Sequence, residues 1–354
     1  MKNILISLCA LSPGISFATP TPLSPRYEAN CQRPQWSPDG SKISYEVNYH
    51  DRKVIEQYLI TATGSVEAVT PTSRGSSSLT AGFSTSGTES VIHELTFSPS
   101  ALGTYIYSAS GSDSDYDLYL QGGTRLAASP GADGGPTWSP SGNHVAFTSA
   151  RTGQGDVYLL NVADLSQPPT RLTSDATSSE LYVAWSPNGE SLAFVGHNNI
   201  GDNIWIIDNI ANPGQRALTN WARTQTRPSF SPDGRHVAFY SNREEINRFD
   251  LYVSPVNGTP RKLYSGVVMN ENGPVWMPDS TELLFVADQD DQYDPVYRTD
   301  LSGSSSRINT GTVGNGDMDV AALGDGNVYL AITAQGTTNG NNRDFKQLYV
   351  VPIP

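Results

Sequence analysis

Arg227-Pro228-Ser229-Phe230-Ser231-Pro232-Asp233-Gly234-Arg235-His236-Val237-Ala238-Phe239 is the stretch on which the reading of this 354-residue chain turns. Phe230 ends one apolar run and Ser-Pro-Asp-Gly supplies a tight turn, in which the proline presets φ and the glycine accepts a positive φ. A second apolar run follows, so the stretch reads as a β-hairpin.

The hairpin recurs along the chain. Working outward from Phe230, the equivalent anchors are Trp36, Phe97, Trp138, Trp185 and Trp276, with a degenerate copy at Val320 whose turn is Gly324-Asp325-Gly326. Successive anchors are 61, 41, 47, 45, 46 and 44 residues apart, and nine residues after each stands a large apolar residue: Tyr45, Ile106, Phe147, Phe194, Phe239, Phe285 and Tyr329. A third run, as in Asp156-Val157-Tyr158-Leu159 and Asp250-Leu251-Tyr252-Val253, comes about a dozen residues later, and a more polar fourth follows in most copies. Four antiparallel strands per repeat of roughly 45 residues make one propeller blade. The chain is therefore expected to be all-β, a seven-bladed β-propeller of four-stranded antiparallel blades, with a six-bladed ring if the Val320 copy is not a blade. The last copy ends in its third strand. Its outer partner is expected from the segment around Tyr27 to Gln32, which would join the chain ends and protect the exposed sheet edge.

Composition fits this reading and narrows the partners. Glycine (32) and proline (24) are abundant, as many turns require, while Asp+Glu 35 against Lys+Arg 22 gives a net charge of −13. A polyanion is repelled at long range, so nucleic acid is not an expected partner. Met1-Lys2, the short apolar run Ile4 to Leu11 and Ser16-Phe17-Ala18 read as a signal peptide cleaved after Ala18, too short to span a bilayer. The expected organisation is residues 1–18 signal peptide, 19–30 tether and ring-closing strand, and 31–354 a single propeller domain in the periplasm or secreted. Cys31 would then be the sole thiol, so stability rests on burial rather than on a disulfide.

The pattern Pro-x-(Trp/Phe)-Ser-Pro-Asp-Gly followed by (Ile/Val)-Ala-Phe, with Asp-Leu-Tyr further on, resembles the TolB-like propeller repeat from about Arg33 to Val350. The resemblance implies a propeller that docks a protein of the cell envelope. The first repeat begins almost at the expected mature terminus, so the α/β domain that precedes the propeller in TolB is not expected here. Similar repeats occur in prolyl oligopeptidase-like proteases, whose hydrolase domain carries a Gly-x-Ser-x-Gly elbow that this sequence lacks. They also occur in oligogalacturonate lyases, which hold a divalent metal on a histidine cluster.

The five histidines do not form such a cluster in sequence. His144 and His236 occupy the same repeat position and read as structural, His50 and His197 begin loops, and His93 lies near the start of an inner strand. The acidic loops Asp113 to Asp117 and Asp288 to Asp294 suit calcium by oxygen chemistry but lack the glycine and distal glutamate of an EF-hand. No metal or cofactor is expected, with calcium held only as an alternative.

Propeller geometry gives the expected site. Loops entering the innermost strands converge on the central channel, so residues three before each anchor line one mouth. These include Arg33, Glu94, Tyr182, Arg227 and Asp317, with Gly135 and Gly273 between them; Glu271 lies two residues further out on its own loop, as does Glu180. Arg33, Glu94, Tyr182, Arg227, Glu271 and Asp317 are the expected ligand- or partner-binding residues, with no catalytic residue assigned. The expected function is non-enzymatic recognition of a protein or envelope component. The alternative is a carbohydrate-active enzyme, a polysaccharide lyase or a glycoside hydrolase, using the mouth carboxylates.

Overall fold

The computed structural model describes residues 23–24, 29–49, 54–61, 66–68 and 92–353, except 102, 111–114, 128, 154, 175–178, 198, 290–293, 325 and 339–344. The described residues are all-β and contain no helix. His50, Tyr27 and the centres of both acidic loops lie outside them.

Each anchor hairpin forms as its turn chemistry requires. In the quoted stretch, Arg223–Phe230 pairs antiparallel with His236–Glu245. The Ser231 hydroxyl donates to Asp233 Oδ1 at 2.5 Å and accepts the His236 N–H at 3.0 Å, while Gly234 takes φ 73°. The same serine-centred turn serves Ser37, Ser139 and Ser186, each of which accepts the N–H five residues on. The residue nine after the anchor then faces inward: Tyr45, Ile106, Phe147, Phe194, Phe239, Phe285 and Tyr329 are all buried. Phe239 stacks on Tyr252 of the third strand at 5.7 Å, as Tyr45 does on Tyr58 and Phe285 on Tyr297.

The aspartate that opens the third strand also has a structural duty. Asp117 and Asp156 are wholly buried and meet an arginine of the fourth strand, Arg125 and Arg171, while Asp250 meets Lys262. Burying a carboxylate this way requires a partner within its own module, which explains why the fourth strand is polar.

Among the described residues the strands fall into seven successive modules, six of four strands and a last of three, Thr312–Ala322, Val328–Thr337 and Gln347–Ile353. Neighbouring modules pack face to face through apolar clusters, one of which joins Trp36 and Tyr45 of the first module to Tyr329 and Leu348 of the last. The anchor tryptophans staple modules together. Trp138 Nε1 donates to Thr96 O at 3.2 Å, Trp185 Nε1 to Thr137 O at 3.0 Å and Trp276 Nε1 to Ser229 O at 3.1 Å. Trp36 departs from this pattern: its Nε1 is buried with no partner among the described residues, and its backbone N–H donates instead to Asp319 Oδ2 at 2.8 Å.

At the chain ends, Asn30–Gln32 is taken up in the innermost strand of the first module, paired with Glu46–Asn48. Among the described residues, bonds toward the last strand come from Leu23 and Ser24 as well as from Asn30 and Cys31. Leu23 N–H donates to Leu348 O at 2.7 Å and Leu348 N–H to Ser24 Oγ at 3.1 Å, while Cys31 N–H reaches Lys346 O at 2.9 Å.

The sixth module is irregular. Arg261–Val268, the outer strand of the fifth, runs on and pairs with the second strand of the sixth through Val267 and Val268. The innermost strand of the sixth is thereby cut to Val275–Trp276, and Asn270 to Gly273 forms a turn in place of its first half.

Candidate functional site

Every innermost strand except the truncated one of the sixth module bulges at the same place. The register slips between Gln32 and Gln35, His93 and Thr96, Leu181 and Ala184, Thr226 and Ser229, and at the matching points of the third and seventh modules. In the first five modules the residue three before the anchor sits inside the bulge with a left-handed backbone, Arg33 (φ 49°), Glu94 (53°), Gly135 (60°), Tyr182 (54°) and Arg227 (56°), while Gly273 (92°) takes the same conformation in the turn of the sixth. Four of these are side chains that tolerate positive φ poorly. The bulge re-aims each of them out of the sheet alternation and into the channel.

The bulged side chains meet across module boundaries. Arg227 lies 3.9 Å over the Tyr182 ring and pairs with the Glu271 carboxylate, also donating from Nη1 to Glu271 O at 2.5 Å. Glu271 in turn takes Arg33 Nη2 at 3.3 Å. Arg33 Nη1 lies 3.6 Å from Glu46 and 3.8 Å from Glu94, whose other oxygen accepts the Gly135 N–H at 2.5 Å. Burial works against the charge on Arg33, but Glu46, Glu94 and Glu271 outweigh it and hold the guanidinium protonated above its ordinary range.

Asp317 has a different part from the other five expected residues. It is buried and accepts Arg33 N–H at 3.0 Å and Glu271 N–H at 2.8 Å, so it holds the network from beneath. Burial raises its carboxyl, partly offset by those two N–H groups.

The six expected residues therefore belong to one connected cluster, and the chain of contacts runs from Tyr182 through Arg227, Glu271, Arg33 and Glu94 to Gly135. Among the described residues no contact of this kind closes it between Gly135 and Tyr182, where the third and fourth modules meet. Leu181 and Tyr182 are exposed there, at 46% and 36%. Beneath lies a cavity of about 1030 Å³, walled by the innermost strands and including Arg33, Glu94, Tyr182, Arg227 and Glu271. Glu180, the other carboxylate read in the loops, also borders the cavity but is 1% exposed and accepts the Thr173 hydroxyl at 3.1 Å. Glu271, its counterpart in the repeat, lies in the turn that stands in place of the first half of the sixth module's innermost strand, and its side chain is 34% exposed.

Sequence reading missed Glu46, Gln57 and Asp319, which also line the cavity. Glu46 was detectable: ten residues after the anchor the other copies have Tyr107, Thr148, Val195, Tyr240, Val286 and Leu330, and a lone charge in that series marks an unusual environment. Among the described residues no group of three or more His, Cys, Asp or Glu is placed to hold a metal. His197 pairs with Asp202 at 2.7 Å on the exposed surface. No helix of the described residues is long and apolar enough to cross a membrane.

Fold and site together define a β-propeller whose inner-strand bulges build a charged channel mouth. The chain belongs to the TolB beta propeller domain family, whose model matches residues 170–346, half of the chain. It is similar to the TolB homolog of Chlorobium luteolum, 29% identical over 146 residues that cover 39% of this chain and 31% of the relative. It is also similar to the uncharacterized peptidase YuxL of Bacillus subtilis, 26% identical over 153 residues, 37% of this chain and 23% of that protein. The chain thus spans less than a third of either relative. Among solved structures, an oligogalacturonate lyase from Vibrio parahaemolyticus superposes over 94% of this chain and 93% of its own, with a TM-score of 0.59 at 11% identity, a likeness of fold.

Proposed function

We propose that this chain is an exported propeller that recognises a protein or cell-envelope component at the channel mouth formed by Arg33, Glu94, Tyr182, Arg227, Glu271 and Asp317. The observation that carries the reading is the gap between Gly135 and Tyr182. The rest of the rim is joined by the contacts from Tyr182 round to Gly135, whereas this sector leaves Leu181 and Tyr182 exposed beside the cavity. An exposed aromatic beside an apolar residue and fixed charges is what a protein contact uses as an anchor. Export rests on the leader-like residues 1–18, and an envelope location agrees with the similarity to a TolB homolog. No cofactor is needed for this role.

The test is site-specific photo-crosslinking in cells, with the photoreactive residue at position 182 or, as a control, at Asn188 in the turn after Trp185. Envelope proteins crosslinked from position 182 and not from 188 support the reading. Identical or no adducts at both positions refute it.

A carbohydrate-active role is the second reading, favoured by one observation: Glu94 and Glu271 both reach the cavity and both approach Arg33, at 3.8 and 3.3 Å. Turnover of acidic oligosaccharides that disappears in Glu94→Gln would establish it in place of pure binding.

A further inference from the structure

The mouth network is asymmetric in what it shows to an incoming group. Its cations are the buried members, with Arg33 and Arg227 side chains 21% and 10% exposed, while the carboxylates Glu94 and Glu271 are 33% and 34% exposed. A visitor to the cavity meets acceptors before donors.

Deeper on the same wall stands a second acceptor set. Gln57 is 4% exposed and lines the cavity, yet its Oε1 is buried with no hydrogen-bond partner among the described residues. A buried amide oxygen without a donor costs free energy, and a donor supplied from the cavity removes that cost. Its cross-strand neighbour Glu46 commits Oε2 to Gln32 at 2.9 Å, whereas among the described residues its Oε1 has two long contacts, Glu94 N–H at 3.4 Å and Arg33 Nη1 at 3.6 Å. The chain's net charge of −13 adds a long-range field of the same sign.

Resting on the channel-mouth reading above, we infer that the group this vestibule accepts is a cation, the ammonium of a lysine or the guanidinium of an arginine on a partner segment. It enters between Gly135 and Tyr182, is met by Glu94 and Glu271, and donates to Gln57 Oε1 and Glu46 Oε1 below. Arg33 already lies loosely among these carboxylates and marks the kind of group they hold.

The experiment is selection of a random heptapeptide phage library on the immobilised full chain, followed by affinity measurements on the selected peptides. Enrichment of lysine or arginine is expected. Replacing that residue by methionine should weaken binding about tenfold or more, and Glu94→Gln, which still accepts the Gly135 N–H, about tenfold, as loss of one charge-assisted bond does. Gln57→Leu provides a second variant, and both folds are checked by thermal melting. Peptides with acidic or uncharged centres that still depend on Tyr182 would overturn the cation and leave recognition at the mouth standing. Peptides indifferent to both Tyr182→Ala and Glu94→Gln would overturn both.

Discussion

The backbone N–H of Arg33 donates to Asp317 Oδ2 at 3.0 Å across 284 residues of sequence. The other oxygen of Asp317 takes Glu271 N–H, so one buried carboxylate fixes the strained backbone of the first module against the turn of the sixth. Removing it strands two donors. Asp317→Ala is expected to destabilise by about 3 kcal/mol and Asp317→Asn by less, since one amide oxygen can still accept. Urea denaturation measures both; equal and negligible losses would refute the bracing role.

The tryptophan staples make a comparison within one protein. Trp138→Phe, Trp185→Phe and Trp276→Phe each remove a bond to a carbonyl of the preceding module and should each cost about 1 kcal/mol more than Trp36→Phe, whose Nε1 has no such partner. Chemical denaturation of the four variants decides it.

Two glycines separate backbone strain from steric exclusion. At Gly135 (φ 60°) a Cβ would come no nearer than 3.7 Å to Thr148 Oγ1, so Gly135→Ala should cost only about 1 kcal/mol for its left-handed backbone. At Gly201 a Cβ would lie 2.1 Å from Arg223 O, within the parallel pairing of Gly201 with Arg223. Gly201→Ala is expected to cost at least about 3 kcal/mol, because the two strands must part there. Thermal melts of the two variants give the order.

Asp319 carries the pH prediction. Burial pushes its carboxyl up to about 6, only partly offset by the Trp36 and Val320 N–H groups. A carboxyl raised above its unfolded value favours the fold when protonated, so this contribution is complete below about pH 4 and is lost as pH rises toward 6. Wild type should therefore lose on the order of 2 kcal/mol relative to Asp319→Asn across that window. Parallel pH profiles of the two proteins would refute this.

Cys31 should be chemically silent. It is 1% exposed, and burial pushes its thiol up to about 12 despite contacts with Ser24 and Leu348. A thiol reagent is expected to label it only as the chain unfolds, at the same denaturant concentration at which tryptophan fluorescence changes.

The sequence by itself determined the blade unit, because every step is local. Ser231 to Gly234 must turn, Phe239 then lies at a fixed offset on the buried face, and Asp250 and Tyr252 follow with the period of a strand. It also indicated the mouth, since repetition brings the residues before each anchor to one end. Only the tertiary structure decided how they are arranged. The left-handed bulges at Arg33, Glu94, Tyr182 and Arg227 leave no mark in residue type, and only Gly135, at the same place in the third module, hints at them. Glu271 and Glu180 are equivalent in the repeat and both border the cavity, yet one is a third exposed in a turn and the other is buried in a strand; Val267 and Val268 take part of the pairing in one module alone. Asp317 supports the rim from below rather than facing the channel for the same kind of reason. Which way a carboxylate points depends on neighbours that are distant in the chain, whereas the turn that precedes it depends on residues next door.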